Sequence, residues 1–154
     1  MRNHACTQPE LESRVLAELA RRNARADINQ MMQLQFVQCS ADEGSVELLH
    51  PMQDWEINIY GTMHGGLIAL ILDATMAVTC RSWTGDKATP TLDIHVNFLR
   101  PVKQGEPVHT KAYVVHAGRS VVQLRAELWT SDPAKTCASA DAVFFRSDPA
   151  PAAK

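Results

Sequence analysis

Between Asn58 and Cys80 the chain reads NIYGTMHGGLIALILDATMAVTC. Two features of this stretch could do chemistry: an acid, Asp73, inside an apolar run, and His64-Gly65-Gly66 at its head. An ionised carboxylate in apolar surroundings is costly, so it must pair, accept hydrogen bonds or take up a proton. Asp73 can therefore sit where a helix leaves the core, or accept hydrogen bonds from a neighbouring strand. Its functional reading is a general base or nucleophile. The two glycines permit close approach of one backbone to another. They also leave the first N–H groups of a helix bare, and such donors carry the positive end of the helix dipole. A carbonyl oxygen becoming an oxyanion is stabilised by such groups.

Spacing constrains how the two features act together. Asp73 lies eight residues beyond Gly65, which is about 12 Å of helix rise and about 80° of rotation. Reacting atoms must approach to about 3–3.5 Å, so Asp73 cannot serve a carbonyl held at the N-terminus of its own helix. If both groups act on one substrate, they come from two chains across a two-fold interface.

The elements that must position these residues follow from periodicity. Residues 9–32 carry Leu11, Val15 and Leu19 at helical spacing, with a break near Ala26-Asp27. Arg14, Arg21, Arg22 and Arg25 fall largely on the other face, where solvent or a phosphate can meet them. LQFVQCS and SVELLH read as strands joined by a turn, and residues 51–61 as a loop carrying Trp55 and Asn58. Residues 65–83 then make about five turns of helix, apolar nearly all round and so expected to be buried.

After Thr84-Gly85-Asp86 the period becomes two. Leu92, Ile94, Val96 and Phe98 point one way, with Thr91, Asp93, His95 and Asn97 opposite. Three further strands follow in VHTKAYVVHAG, SVVQLRAELW and TCASADAVFF. Short connections predict antiparallel neighbours in chain order. The expected class is α+β, one antiparallel sheet curled around one apolar helix. A single domain over residues 1–147 is expected, with a Pro/Ala-rich disordered tail at 148–154.

Composition narrows the function. At 154 residues, 45% hydrophobic and 21% charged, the chain is ordinary for a soluble globular protein. A net charge of −2 gives no basic excess for nucleic acid. The four cysteines, Cys6, Cys39, Cys80 and Cys137, form no CxxC pair and read as reduced thiols of a cytoplasmic protein. No signal peptide is evident, and the apolar run is interrupted by Asp73 and too short to span a bilayer. The six histidines show no HExxH pattern and no GxSxG elbow is present, so neither a metal site nor a serine hydrolase is indicated.

The pattern Asn-x-x-Gly-x-x-His-Gly-Gly, here Asn58, Gly61, His64, Gly65 and Gly66, followed by Asp73, resembles the hotdog-fold acyl-CoA thioesterases of the phenylacetate-degradation (PaaI) type. DIHVNFLRP and HAGRS are similar to that family's third-strand and hairpin signatures, and the resemblance covers roughly residues 36–145. It implies a long helix wrapped by five or six antiparallel strands, in homodimers that commonly pair into tetramers. The implied reaction is hydrolysis of an acyl-CoA without metal or redox cofactor.

Carried over by position, Asp73 would activate water or attack the thioester, and the Gly65 N–H would polarise its carbonyl. Asn58 would orient the nucleophile or carbonyl, while His64 would shape the turn, as a cap or in catalysis. Thr91 falls where relatives often place a hydroxyl that holds the attacking water. Gly66, in the same turn, would contact substrate. Gly118, Arg119 and Ser120 are either simply a turn or lie near the coenzyme A nucleotide, where Arg119 could pair with a phosphate; Arg100 is a further candidate. The acyl pocket would include the Trp55 loop and parts of the N-terminal helix. Two other functions share this fold: a non-catalytic acyl-CoA binder, and an acyl-thioester hydratase or dehydratase.

Overall fold

A computed structural model describes residues 6–85 and 88–146; the expected tail at 148–154 lies outside the described residues. The first helix, α1 (Gln8–Asn23), opens with Pro9 in its first turn, and Glu10 reaches back to accept the Thr7 N–H at 2.7 Å. Leu11, Val15 and Leu19 are buried, as their spacing predicts. The helix breaks where expected. Asp27 caps a second short helix, α2 (Ile28–Met32), by accepting the Asn29 N–H at 2.9 Å.

A hairpin follows, β1 (Gln35–Ser40) and β2 (Ser45–His50). Its turn uses Gly44 at φ 64°, where an added Cβ would press on Val114 at 3.4 Å. A single 3-10 turn, Asp54–Glu56, interrupts the loop before α3 (Gly65–Thr84). The remaining strands are β3 (Thr91–Phe98), β4 (Val108–Ala117), β5 (Val121–Trp129) and β6 (Ala138–Phe145). All pair antiparallel in one six-stranded sheet of order β1-β2-β4-β5-β6-β3.

Length and composition alone would let α3 cross a membrane. Here it packs against β2 to β6 and α1 instead. Ile68, Ile71, Leu72, Met76 and Val78 are buried against Leu48, Leu124, Leu128 and Phe144 of the sheet and its surroundings. Two of its polar core residues are satisfied locally, whereas the buried Ser82 hydroxyl has no partner among the described residues. Thr75 and Thr79 donate to carbonyls one turn earlier, each at 2.8 Å, and the Thr75 hydroxyl meets that of Thr110 at 2.7 Å.

Two expectations about β3 are corrected. It does not neighbour β4, the next strand in the chain, but pairs with β6 at the far end of the sheet. The connecting segment is pinned away from a hairpin: Val102 O accepts the Met63 N–H at 2.8 Å, and Cys137 O accepts the N–H groups of Leu99 and Arg100. The segment therefore crosses the end of the sheet beneath the N-terminus of α3. Secondly, the predicted inner face of β3 is only partly covered. Ile94 and Val96 are half-buried, whereas Leu92 and Phe98 remain 59% and 58% exposed. With no strand beyond it, β3 is a bare edge with an apolar fringe.

The opposite edge is partly covered. Gln8 of α1 donates to Cys39 O at 3.0 Å and accepts the Ala41 N–H at 2.8 Å, so the helix lies along β1. Glu18 fastens α1 to the last turn of α3. Although 5% exposed, its carboxylate is paired with Arg21, Arg22 and Arg81 at 2.7–3.0 Å. The helix arginines thus serve mainly structure, with Arg25 on Asp27 and Arg14 reaching Ser82 O. All four cysteines are free.

Candidate functional site

The N-terminus of α3 is built around one unused donor. His64 is the N-cap, in extended conformation at φ −64° and ψ 132°. Its Nδ1 accepts the Gly66 N–H at 3.1 Å, which places the ring hydrogen on Nε2. Its carbonyl accepts the N–H groups of Leu67 at 2.9 Å and Ile68 at 3.2 Å. Among the described residues, the Gly65 N–H is the only first-turn donor left without an acceptor. His64 therefore acts as a cap here, and the cap singles out Gly65. Gly65 lies against the end of β3: an added Cβ would meet the Phe98 ring at ordinary contact distance, 3.4 Å.

Asp73 sits two turns along α3, half-buried on the side facing the β3 rim. It accepts a hydrogen bond from Thr91 Oγ1 at 2.9 Å. The acid in the apolar run thus lies on the seam between helix and bare edge rather than within the core. Thr91, where a water-holding hydroxyl was expected, binds the carboxylate itself. The structure therefore brings together Asp73 and Thr91 at one end of β3, and Gly65 and Phe98 at the other. It does not bring Asp73 to Gly65.

Asn58 is committed to its own loop. Its Oδ1 accepts the N–H of Tyr60 at 2.9 Å and of Thr62 at 3.2 Å, and its Nδ2 donates to Thr62 Oγ1 at 3.0 Å. Main-chain bonds close the same turn, which contains Gly61 at φ 74°. The loop tip projects Ile59 and Tyr60, 91% and 82% exposed.

Gly118, Arg119 and Ser120 form the β4–β5 turn, apart from the other candidates. Gly118 donates to Val121 O at 2.9 Å, and Arg146 at the end of β6 clamps the turn from outside. Its Nη1 donates to Gly118 O at 2.7 Å and its main-chain N–H to Ser120 O at 2.8 Å. A Cβ on Gly118 would come to 3.2 Å from Val121 O, so a side chain there would crowd the turn by a few tenths of an ångström. Arg119 is exposed, and its guanidinium has no partner among the described residues. Arg100 donates to Thr136 O at 2.6 Å. Sequence reasoning missed Arg146 and Phe98. Phe98 had a signal, as the last apolar position of an alternating run; Arg146 had none, because its partners come from a distant turn.

Residues 60–137 match the Thioesterase superfamily. The chain belongs to the thioesterase superfamily. Among solved structures, the conserved protein PA5202 from Pseudomonas aeruginosa is 31% identical at a TM-score of 0.72, covering 83% of this chain and 99% of that one. The PaaI protein of the E. coli phenylacetic acid degradation operon superposes at a TM-score of 0.80 over 93% of this chain and 97% of its own, at 20% identity. The human acyl-coenzyme A thioesterase 13 is 29% identical over 93 residues, a match spanning 58% of this chain and 64% of that protein. The fold is accordingly the hotdog fold of this superfamily, with an added N-terminal helix.

Proposed function

We propose that this thioesterase-superfamily chain hydrolyses an acyl-CoA thioester to the free acid and coenzyme A. The carrying observation is that one rim presents, at opposite ends of β3, a carboxylate held by a hydroxyl and the amide left bare at the start of α3. In this reading the thioester carbonyl oxygen accepts the Gly65 N–H, which strengthens its bond as the carbonyl becomes an oxyanion. Asp73 takes the proton of an attacking water, and the tetrahedral intermediate collapses with expulsion of the coenzyme A thiolate. The proton on Asp73 then neutralises the thiolate. In the nucleophilic variant Asp73 attacks directly, and water hydrolyses the resulting mixed anhydride.

The two groups act together when two copies join along β3. The rim presents unpaired main-chain groups with Leu92, Phe98 and Leu99 exposed beside them. Antiparallel pairing of β3 with itself about a two-fold axis near Ile94-His95 sets Thr91 of one copy beside Phe98 of the other. Asp73 bonds to Thr91, and Gly65 lies under Phe98. Each site then combines the acid of one copy with the amide of its partner, and each dimer carries two sites. Pairing of dimers into tetramers follows from the family resemblance.

The unpaired Arg119, on a turn stiffened by Arg146, is the candidate contact for a coenzyme A phosphate. The human relative's name, acyl-coenzyme A thioesterase, supports the same substrate class. The test is release of free thiol from an acyl-CoA panel spanning aryl, medium-chain and long-chain groups. Thiol release that disappears in Asp73→Ala is the expected result. No release from any substrate overturns the reading, and a changed double bond in the product would indicate hydratase chemistry instead.

A further inference from the structure

A second acid lies deeper than Asp73 and takes no part in the chemistry above. His50, at the end of β2, and Glu56, in the 3-10 turn, are 0% and 1% exposed. Their side chains meet at 2.9 Å, from His50 Nε2 to Glu56 Oε2. The other ring nitrogen, Nδ1, lies 2.6 Å from Met32 O at the end of α2. A carbonyl only accepts, so Nδ1 carries a hydrogen, and Nε2 shares its hydrogen bond with the glutamate. Glu56 Oε2 also accepts the Gln53 N–H at 2.9 Å. The pair thereby ties together the ends of α2 and β2 and the loop that follows them.

Glu56 has a second attachment. Its main-chain oxygen accepts the His64 N–H at 2.9 Å. Between Glu56 and His64 the chain makes its excursion to the exposed Ile59–Tyr60 tip, so the covalent path is a projecting loop. The direct path is this hydrogen bond, one rung of a short antiparallel bridge between Ile57 and Met63 whose other rung joins the Asn58 N–H to Thr62 O at 2.8 Å. His64 in turn caps α3 and leaves Gly65 as the free donor. A continuous line of contacts thus runs from Met32 through His50 and Glu56 to the bare amide. A buried ionisable pair is a poor source of stability compared with apolar residues of the same volume. What it supplies is direction, since both partners are oriented by further hydrogen bonds.

We propose that His50 and Glu56 are positioning residues for the Gly65 amide, acting through the Glu56 carbonyl and the His64 N–H. This rests on the thioesterase reading for its kinetic consequence, but its structural consequence can be read without turnover. The perturbations are Glu56→Gln, which keeps the volume and an acceptor for Gln53, and the apolar double replacement His50→Leu with Glu56→Met. Glu18→Gln serves as the comparison, because it removes a buried carboxylate far from the Gly65 amide.

Two measurements are made on the 154-residue chain. The first is steady-state kinetics on an acyl-CoA that the wild type hydrolyses. Both perturbations should lower kcat about tenfold or more while KM stays within about twofold, because the amide acts on developing charge rather than on ground-state binding. Glu18→Gln should leave kcat unchanged at temperatures where it is folded. The second is the backbone amide resonance of Gly65 in protein labelled with ¹⁵N-glycine, compared with those of Gly105 and Gly118. Gly65 should shift in both His50/Glu56 variants, and the other two should stay in place. Unchanged kcat with an unmoved Gly65 resonance overturns the proposal. So does an equal loss of kcat in Glu18→Gln, which would mark a general effect of destabilisation. If the double replacement fails to fold, Glu56→Gln alone decides. If wild type hydrolyses no acyl-CoA, the thioesterase reading falls while the Gly65 resonance still tests the positioning.

Discussion

Replacing Gly65 with proline isolates the proposed oxyanion donor. Proline has no N–H, yet it is favoured at the first position of a helix, which is where Gly65 stands. The residue before a proline must be extended, and His64 already is, at ψ 132°. Gly65→Pro should therefore keep α3 and its cap while deleting one donor. Losing a single oxyanion donor typically lowers kcat by about 100- to 1000-fold. Gly65→Ala is the matched control: it keeps the N–H, and its methyl meets the Phe98 ring at ordinary contact distance, 3.4 Å.

Mixing then tests whether the site spans two chains. Asp73→Ala and Gly65→Pro are co-expressed in equal amounts with different affinity tags. Random pairing makes about half the dimers mixed, and each mixed dimer holds one site with both groups intact and one with neither. Thiol release per total protein should return to about one quarter of wild type, and to about one half in the purified mixed dimer. A site contained within one chain predicts no recovery, because neither chain has both groups. A shared site is ruled out if the purified mixed dimer, folded and stable, is no more active than its parents.

Other consequences follow from single contacts. Thr91→Val removes the hydroxyl that holds Asp73 and keeps its shape; after allowance for solvent, a loss of about 1 kcal/mol, or about fivefold in kcat, is expected, and Thr91→Ser should restore most of it. Burial pushes the Cys80 thiol up to about 11. A raised folded-state value means that this stabilisation is complete below the unfolded value near 9 and is lost as pH rises through 11. Denaturant titrations at pH 8 and 10.5 should show a decline, up to about 2.7 kcal/mol in the limit of two pKa units, that Cys80→Ala reduces. Burial alone would raise Glu18, but the hydrogen bonds and charges of Arg21 and Arg22 outweigh it and hold it low. Its contribution is thus present above the unfolded carboxylate value and is lost as pH falls below it. Glu18→Gln should cost about 1–3 kcal/mol at pH 7 and flatten the acid limb of stability against pH. Arg119→Ala should raise KM for acyl-CoA severalfold with kcat little changed, and the effect should weaken in high salt.

Much of this fold was legible because its signals are local. The change of period after Thr84 separated α3 from the strands, and the polar interval before Ile28 marked the helix break that Asp27 now caps. The spacing of Gly65 and Asp73 predicted that the two would stand apart on one helix, and the structure keeps them at opposite ends of β3. What stayed hidden depends on distant partners. The pairing of β3 with β6 follows from how the segment after Phe98 is pinned to Met63 and Cys137, which no periodicity records. Alternation identified the inner face of β3 but not that Leu92 and Phe98 would lack a cover. Asn58 illustrates a different limit. The motif marked its position, but its side chain stitches its own turn, a use that residue type and spacing do not distinguish from contact with substrate. His50 and Glu56 stand close in sequence, yet only the folded loop turns them toward each other.

The unequal rims of the sheet bear on how large an assembly can grow. Gln8 occupies main-chain groups at one margin with its own amide, so strand addition there meets a helix already in place. A ribbon with a single adhesive border consumes that border when it meets its twin. If copies join along that border, as proposed, union there would halt at two, which would spare a protein with so greasy a strand at its margin endless fibrous stacking.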